Sequence, residues 1–205
     1  MIKPYVIGVC GTSCSGKSRV CSEIKSNMKS VAILSQDRYY KGGDNTTNYD
    51  KPDAIDFELL TEHLDKLCEW LPINAPEYDF TSHSRTSITH TVFPNHIIIV
   101  EGIFVLYDEE LRKRFNLKIF VDAEPALCFA RRLKRDVKER GRDQKEITER
   151  YIRDVIPSNT CYVHPTKNWS DIILMNNIKD QFIGLEILIN HIHKKINDLE
   201  SQINI

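Results

Sequence analysis

Glycine, proline and low-complexity segments are scarce in this sequence, which has 8 glycines and 8 prolines among 205 residues. Such a composition excludes a collagen-like, disordered or low-complexity protein. Hydrophobic residues make up 41% of the chain. A chain of this length buries roughly 70% of its surface on folding, so a core can form without metal or disulfide staples. The length leaves room for one ordinary domain or two very small ones.

Charge of one sign and long hydrophobic runs are also missing. The 28 basic residues nearly balance the 29 acidic ones, which argues against a general nucleic-acid-binding protein but leaves a local basic patch open. The longest apolar runs are far shorter than the roughly 20 residues that cross a membrane. No signal-peptide pattern precedes the first apolar run, and the six cysteines form no C-x-x-C pair. We therefore expect a cytoplasmic protein with reduced thiols and no membrane partner.

What the sequence does contain is an alternation of short apolar runs with longer helical patterns. The runs at 5–10, 31–34, 97–100, 117–121 and 171–175 suit buried parallel strands. Apolar residues at steps of three and four between 57 and 71, and again between 185 and 199, predict amphipathic helices. This order predicts an α/β fold with a doubly wound parallel sheet. The polar, partly alternating segment 78–93 predicts a small inserted β-hairpin.

A phosphate-binding loop follows the first predicted strand. Residues 11–18 match G-x-x-x-x-G-K-[ST] and open a predicted helix, which is the context that this motif requires. Backbone N–H groups and the helix N-terminus would surround phosphate oxygens, Lys17 would reach the β- and γ-phosphates, and Ser18 would bind Mg²⁺. The predicted ATP contacts are Gly11, Thr12, Ser13, Cys14, Ser15, Gly16, Lys17 and Ser18.

Two carboxylates stand where predicted strands end. Ligands of open α/β sheets bind at the carboxyl ends of strands, so Glu101 is expected to face Mg²⁺ and the phosphates. Asp37 is placed to orient an acceptor hydroxyl and to accept its proton late in phosphoryl transfer. The metal site is predicted to comprise Ser18, Glu101 and Asp37. The alternatives are a surface acid at Glu101 and a turn or capping residue at Asp37.

An arginine-rich segment favours a small-molecule kinase among the proteins that carry such a loop. The D-x-x-G and N-K-x-D motifs of GTPases are missing, and motor or AAA-type ATPases are usually far longer. Residues 131–142 hold seven basic and two acidic side chains, and five of the basic ones are arginines. Guanidinium groups suit phosphate oxygens, and Gly141 offers a hinge. The segment therefore predicts a mobile lid over the nucleotide rather than a solvated charged helix.

Six motifs follow one another along the chain: 11–18, 35–40 (SQDRYY), 48–54 (NYDKPDA), 78–85 (YDFTSHSR), 101–103 (EGI) and 131–143 (RRLKRDVKERGRD). Together they resemble the uridine–cytidine kinase family, within a wider group that includes phosphoribulokinase and nicotinamide riboside kinase. The resemblance runs from residue 6 to about residue 192. It implies one P-loop kinase domain over 1–205, with a hairpin at about 76–95 and a lid at about 131–153.

The implied reaction is the ATP- and Mg²⁺-dependent phosphorylation of uridine and cytidine at the 5′-hydroxyl, a step of pyrimidine salvage. Family members are typically homotetramers that UTP or CTP restrains. The resemblance makes Asp37 the catalytic base and places Asp180 near the nucleoside end of ATP. Arg135 and Arg140 would contact the ATP phosphates and take part in catalysis together with Lys17.

The resemblance also implies a nucleoside site. Asp50 and Arg132 would hold the ribose hydroxyls, and Asp50 suits them because a carboxylate only accepts hydrogen bonds. His83 would reach the pyrimidine edge, where an imidazole can donate or accept, and so could serve uracil and cytosine alike. The other implied contacts to the base are Tyr49, Tyr78, Phe80, Ile103 and Arg142.

The chain departs from the family pattern at Arg150, where relatives usually have a glutamine. A guanidinium cannot accept hydrogen bonds, so Arg150 either enters the nucleoside site and alters base preference, or turns to solvent and pairs with Glu146. The loop residues 12–14 are a second departure, since relatives often have a glycine or alanine there. Two other functions stay open: another kinase of this group, such as a nicotinamide riboside kinase or phosphoribulokinase, and a catalytically silent nucleotide-binding regulator.

Overall fold

The computed structural model describes residues 3–28, 30–44, 46–177 and 183–203. Five strands form a parallel sheet, and the remaining two form a separate antiparallel hairpin. The strands are β1 (Tyr5–Cys10), β2 (Val31–Ser35), β3 (Ile73–Asp79), β4 (Ser84–Val92), β5 (Ile97–Glu101), β6 (Leu117–Asp122) and β7 (Ile172–Met175). The order in the parallel sheet is β2-β5-β1-β6-β7. Ile7 of β1 thus lies between Ile99 of β5 and Leu117 of β6.

The helices cover both faces of this sheet. Short 3₁₀ turns at Gln36–Tyr39, Pro52–Ala54 and His164–Trp169 connect the elements, and π-helical turns occupy Tyr151–Val155 and Asn159–Val163. Within the described ranges, no helix is long and apolar enough to cross a membrane. The helices are α1 (Lys17–Asn27), α2 (Phe57–Cys68), α3 (Glu109–Arg112), α4 (Pro125–Arg140), α5 (Gln144–Arg150), α6 (Ile156–Ser158) and α7 (Ile183–Ile203).

Successive residues of the strands belong to two different cores. On β1, Ile7 and Val9 pack with α1 and α7, whereas Val6 and Cys10 pack with α2 and the hairpin. The strands are apolar on both faces because both faces are covered, which is why they appear in the sequence as unbroken hydrophobic runs. The predicted α/β fold with a doubly wound parallel sheet is confirmed. The observed strands of the sheet differ from the predicted runs by a single residue at most.

The apolar face predicted between 57 and 71 extends one turn too far. Helix α2 ends at Cys68, and Trp70 then adopts a left-handed backbone with φ of 63°. The Leu71 N–H donates to the Lys66 carbonyl across this turn, as is common at helix C-termini. Leu71 is consequently 49% exposed rather than buried with the other apolar side chains.

The hairpin is anchored beside the end of β2 by one arginine. The Arg85 guanidinium donates to the backbone oxygens of Tyr39 and Tyr40 at 3.1 and 3.0 Å and to a carboxylate oxygen of Asp56 at 3.0 Å. Strand β3 begins at Ile73, three residues before the implied hairpin start at about 76, and pairs with β4 with a register shift between Pro76 and Tyr78. The hairpin thereby faces the segment that carries Asp37.

The arginine-rich segment is helical. Helix α4 spans Pro125–Arg140 and is followed by Gly141, whose φ of 61° is left-handed; α5 begins after a short turn. A left-handed backbone costs glycine little, so Gly141 ends α4 without strain. The predicted lid at about 131–153 therefore comprises the second half of α4, all of α5 and part of a π-helical turn. Its hinge motion at Gly141 stays a prediction.

Candidate active site

A cavity of about 360 Å³ lies at the carboxyl edge of the sheet. It is enclosed by the phosphate loop, the ends of β2 and β5, the hairpin, and helices α4 and α5. The predicted site residues that line it are Ser13, Cys14, Gly16, Lys17, Ser18, Asp37, Tyr49, Asp50, Tyr78, Phe80, His83, Glu101, Ile103, Arg132, Arg135, Arg140, Arg142 and Arg150.

Some predicted residues lie elsewhere, and some lining residues were not predicted. Gly11, Thr12 and Ser15 belong to the loop but do not line this cavity. Asp180, predicted near the nucleoside end of ATP, falls outside the described residues. The additional lining residues are Arg19, Tyr40, Thr47, Arg131 and Asp154. Arg131 belongs to the arginine-rich run of the sequence, and its side chain donates toward the Cys14 and Asn176 carbonyls at 3.5 and 3.4 Å.

The phosphate loop is held by main-chain geometry. Gly11 has φ of 146°, and a Cβ there would lie 2.2 Å from the Val121 carbonyl oxygen, so only glycine fits. Gly16 (φ 108°) and Cys14 (φ 64°) also have left-handed backbones. The Lys17 ammonium donates to the Thr12 carbonyl at 2.9 Å across the loop. These contacts curl residues 11–16 around the start of α1, where N–H groups are free of partners inside the helix.

The side chain of Asn176 also holds the phosphate loop, because its amide donates a hydrogen bond to the Ser15 carbonyl at 2.6 Å. Asn176 was not predicted from the sequence, since nothing adjacent to it in the chain marks a contact with residue 15. The Ser15 hydroxyl is fully buried and has no hydrogen-bond partner among the described residues. A buried hydroxyl of this kind is available for one further hydrogen bond.

Two carboxylates face the loop, as the sequence predicted. Glu101 is the last residue of β5, is 8% exposed, and accepts a hydrogen bond from the Ser35 hydroxyl at 2.7 Å. Burial and the neighbouring charge of Asp37 raise the pKa of Glu101, although Lys17 acts in the opposite direction. Carboxylate and hydroxyl oxygens at Glu101, Asp37 and Ser18 form a hard-oxygen donor set that suits a divalent cation. A cation there would relieve the repulsion between the two acids.

Four arginines of the lid meet at Asp136, which is 1% exposed. Its Oδ1 accepts a hydrogen bond from Arg135 Nε at 2.8 Å and lies 3.4 Å from Arg140 Nη1. Its Oδ2 lies 3.6 Å from Arg132 Nε and 3.9 Å from Arg142 Nη1. Burial alone would raise the pKa of Asp136, but the surrounding arginines bring it below the ordinary value. In the sequence, Asp136 lies four residues from both Arg132 and Arg140, and this spacing was the available signal for these ion pairs.

The other end of the cavity is aromatic. The rings of Tyr49 and His83 stack with centroids 5.1 Å apart and planes 7° from parallel. The Arg140 guanidinium lies 4.2 Å from the centre of the Phe80 ring. The Tyr78 hydroxyl is buried and makes no hydrogen bond of good geometry to any described residue. A flat apolar slot with a few polar groups at its rim can accept a planar heterocycle.

Two polar side chains, Asp50 and His83, also lie at this end of the cavity. Asp50 Oδ1 lies 3.5 Å from Arg132 Nη1, which joins this acid to the arginine cluster. His83 has a left-handed backbone with φ of 54°. Burial lowers the pKa of His83 below its ordinary value, and the positive charges of Arg142 and Arg150 lower it further. The imidazole is therefore neutral near pH 7 and can accept or donate a hydrogen bond.

Arg150 was expected either to enter the nucleoside site or to pair with Glu146 in solvent, and the structure combines parts of both arrangements. Its Nε lies 3.2 Å from Glu146 Oε1, so the predicted i−4 pair forms. The side chain is only 13% exposed and lines the cavity, so the expectation that such a pair turns Arg150 to solvent is wrong. Pairing and burial coexist, since Glu146 remains 48% exposed while Arg150 is largely buried.

Comparison with known proteins shows the family at the level of sequence. A family model described as "Phosphoribulokinase / Uridine kinase family" matches residues 6–181. The chain is 43% identical over 182 residues to a uridine kinase of Deinococcus deserti, covering 84% of this chain and 88% of that protein. It is 40% identical over 202 residues to uridine-cytidine kinase A of Dictyostelium discoideum, covering 95% of this chain and 40% of that protein.

A solved structure shares the fold at low sequence identity. D-glycerate 3-kinase from Cryptococcus neoformans var. grubii superposes with a TM-score of 0.65 at 16% identity, covering 90% of this chain and 89% of that one. At that identity the likeness concerns the fold alone. The fold is therefore shared with that structure, whereas the sequence relatives carry the family likeness.

Proposed function

The chain belongs to the phosphoribulokinase/uridine kinase family, and on that premise we propose that it transfers the γ-phosphoryl group of ATP to the 5′-hydroxyl of uridine and cytidine. The products are UMP and CMP, as in pyrimidine salvage. The observation that carries this proposal is one continuous cavity that holds a phosphate loop and an arginine cluster at one end and an aromatic slot at the other. We propose that residues 1–205 act as one kinase domain.

The phosphate end of the cavity would bind ATP through main-chain N–H groups of residues 11–16 and the N-terminus of α1. Lys17 would leave the Thr12 carbonyl and contact the β- and γ-phosphates. Mg²⁺, when bound, supplies charge neutralisation at the phosphates, and Ser18, Glu101 and Asp37 would hold it. Arg135 and Arg140 would contact the transferred group from the lid, where a loose transition state spreads negative charge over its oxygens.

Asp37 would orient the acceptor hydroxyl. It lies in the 3₁₀ turn directly after β2 and lines the same cavity as Lys17 and Asp50. A carboxylate at this position accepts a hydrogen bond from the hydroxyl and takes its proton late in the transfer. The 5′-hydroxyl is the reacting group, so Asp37 must lie between the phosphate end and the ribose site. This fits a cavity that Asp37 lines together with Lys17 of the phosphate end and Asp50 of the nucleoside end.

The nucleoside end would select a ribose and a pyrimidine. Asp50 and Arg132, joined at 3.5 Å, offer an acceptor and a donor to the vicinal ribose hydroxyls. Neutral His83 can donate to O4 of uracil or accept from N4 of cytosine, which allows both bases. Base packing would come from Tyr49, Phe80 and Ile103, with Tyr78 and Arg142 at the base edge.

We also propose the remaining properties that the family likeness suggests: a cytoplasmic homotetramer whose activity UTP or CTP restrains. A pyrimidine nucleoside triphosphate carries in one molecule both chemical groups that the two ends of the cavity suit. It would therefore compete with ATP and with nucleoside at the same time. Inhibition competitive with both substrates is the kinetic pattern expected from such an occupant.

A substrate panel tests the proposed function. Uridine, cytidine, thymidine, adenosine, nicotinamide riboside and ribulose 5-phosphate are each incubated with MgATP, and monophosphate formation is measured. Asp37→Asn serves as the control and should retain ATP binding while its turnover falls by about 10²–10⁴-fold. Uridine and cytidine are the expected substrates. Preference for nicotinamide riboside or ribulose 5-phosphate would replace the proposal with another kinase of the group, and no ATP-dependent turnover would leave only a nucleotide-binding protein.

A further inference from the structure

Four of the lid arginines have one feature in common that the reaction itself does not explain: all four contact the same buried carboxylate. Asp136 shares its two oxygens evenly, with Arg135 and Arg140 at Oδ1 and Arg132 and Arg142 at Oδ2. The carboxylate does not line the cavity, whereas each of the four guanidiniums does. Asp136 therefore lies behind the arginines as seen from the cavity, out of reach of a ligand.

The main chain of Asp136 contributes to the same arrangement. Its carbonyl oxygen accepts hydrogen bonds from the N–H of Gly141 and from the N–H of Arg142, the latter at 3.1 Å. These bonds close the left-handed turn at Gly141, which directs the chain back toward α4. One residue thus joins three arginines of α4 to a fourth that lies beyond the end of that helix.

The charges explain why such a residue is needed. Four guanidiniums close together repel each other, most strongly where the surroundings exclude water. One buried carboxylate opposes this repulsion and gives the four groups a common fixed point. It does not neutralise them, since one negative charge faces four positive ones. The cluster therefore remains attractive to a polyphosphate while its members stay in place.

We propose that Asp136 is a positioning residue for phosphoryl transfer. In the free protein it holds Arg135 and Arg140 where the transferred phosphoryl group requires them, and Arg132 and Arg142 beside the nucleoside site. This inference rests on the proposed function. Donors that are already oriented before the reaction need no reorganisation during it, which is how fixed charges lower a barrier. Asp136 acts only through Arg132, Arg135, Arg140 and Arg142.

The test compares kcat with nucleotide affinity in the full chain carrying Asp136→Asn. This variant keeps the size of the side chain and removes its charge. We expect kcat to fall by about 10–100-fold because the arginines lose their alignment. We expect the Kd for ATP, measured by calorimetry, to stay equal or to tighten, since the cluster has lost a negative charge. Asp136→Glu should recover part of kcat.

Asp65→Asn is the matched control. Asp65 also forms a close pair with an arginine, Arg114, at 2.6 and 2.8 Å, but neither residue lines the cavity. Removing the Asp65 charge should leave kcat and the Kd for ATP within about twofold of the unmodified protein. Trypsin cleavage within 131–145 provides a readout without substrate, because loosened arginines are cut faster. Asp136→Asn should accelerate this cleavage, and Asp65→Asn should not.

Several results would overturn the proposal. These are a kcat for Asp136→Asn within twofold of the unmodified protein, a loss of ATP affinity as large as the loss of kcat, and unchanged cleavage by trypsin. Should Asp136→Asn not fold, Asp136→Glu decides: a severalfold lower kcat with unchanged ATP affinity supports positioning, and an unchanged kcat contradicts it. If the unmodified protein phosphorylates no nucleoside, the proposed function fails, and the ATP titration and the cleavage rates still decide whether Asp136 holds the lid.

Discussion

The two walls of the phosphate end are built in different ways. The phosphate loop is held by its backbone: a glycine at which any Cβ would lie 2.2 Å from a carbonyl oxygen, left-handed residues, and an amide that binds a loop carbonyl at 2.6 Å. The lid is held by side chains, through ion pairs of 2.8–3.9 Å around Asp136. The same ligand, a polyphosphate, is thus approached by fixed N–H groups from one side and by adjustable guanidiniums from the other.

This difference indicates that the phosphate loop and the lid have different roles in the site. A backbone packed against β6 cannot shift without disturbing the sheet, so the loop can define where the phosphates lie. Long arginine side chains can move with α4 and α5 while they keep their charge, so the lid can follow the transferred group. Substitutions at the loop should therefore affect folding and ATP binding together, whereas substitutions at the lid and the nucleoside end should separate these properties.

The largest effect is expected from Gly11→Ala. The added Cβ would lie 2.2 Å from the Val121 backbone oxygen at a φ of 146°, and neither atom can give way cheaply. Overpacking and backbone strain together should lower the free energy of unfolding by about 2–5 kcal/mol and abolish ATP binding. Denaturant unfolding and ATP titration measure the two effects. A stable Gly11→Ala protein that still binds ATP would remove the distinction between the rigid loop and the adjustable lid.

His83→Ala should weaken nucleoside binding without affecting ATP. Loss of the imidazole removes one hydrogen bond to the base and the stacked partner of Tyr49, so the KM for uridine should rise by about tenfold. His83→Asn is the control for the left-handed backbone at φ of 54°, which asparagine tolerates. If the KM for ATP rises instead and that for uridine does not, the nucleoside does not bind at this end of the cavity.

Gly141→Ala is the counterpart of Gly11→Ala at the lid and should be much milder. Its φ of 61° is left-handed, but no atom lies within 4 Å of the added Cβ. Only the backbone penalty remains, so unfolding should become easier by about 1 kcal/mol, or roughly 2–4 °C in Tm. Thermal unfolding of both variants side by side gives the comparison. A large fall in kcat together with only this small change in Tm would support the predicted hinge at Gly141.

Arg150→Gln should change the ratio of the two substrates by only a few-fold. The variant introduces the glutamine that the family resemblance implies at this position and removes a donor-only group that lines the cavity. One discriminating hydrogen bond changes relative kcat/KM by a factor corresponding to about 0.5–1.5 kcal/mol. The ratio of kcat/KM for uridine to that for cytidine is measured in both proteins. A constant ratio with constant affinities would mean that Arg150 lies at the cavity without influencing base choice.

The pH profile of Arg150→Gln sharpens the same comparison. Burial, Arg142 and Arg150 keep the pKa of His83 below 6.5, so the imidazole stays neutral down to the lowered value and becomes a cation below it. The cation no longer accepts a hydrogen bond from N4 of cytosine, so the KM for cytidine should rise as the pH falls. Removing the Arg150 charge raises the pKa of His83 toward 6.5. The rise in KM should then begin at higher pH in Arg150→Gln, and coincident profiles would contradict this coupling.

The sequence was most informative where short contiguous segments decide the structure. The strands could be predicted because burial on both faces demands unbroken apolar runs, and the phosphate loop because its functional backbone spans residues 11–18. The roles of Asp136, Asn176 and Arg85 were not predicted because they depend on which distant groups the fold brings to them. Leu71 was assigned to a helix face because local periodicity does not register the left-handed turn at Trp70.

The most direct test of the account is the identification of the product by ³¹P and ¹H NMR. Uridine and MgATP are incubated with the unmodified protein and, in parallel, with Asp37→Asn. We expect ADP and UMP in equal amounts, with the phosphate on the 5′-oxygen, and almost no product from the variant. Three results would contradict the account: phosphate on another ribose oxygen, ADP formed without UMP, or equal turnover by Asp37→Asn. Each would exclude a nucleoside kinase whose catalytic base, Asp37, lies between the phosphate loop and the ribose site.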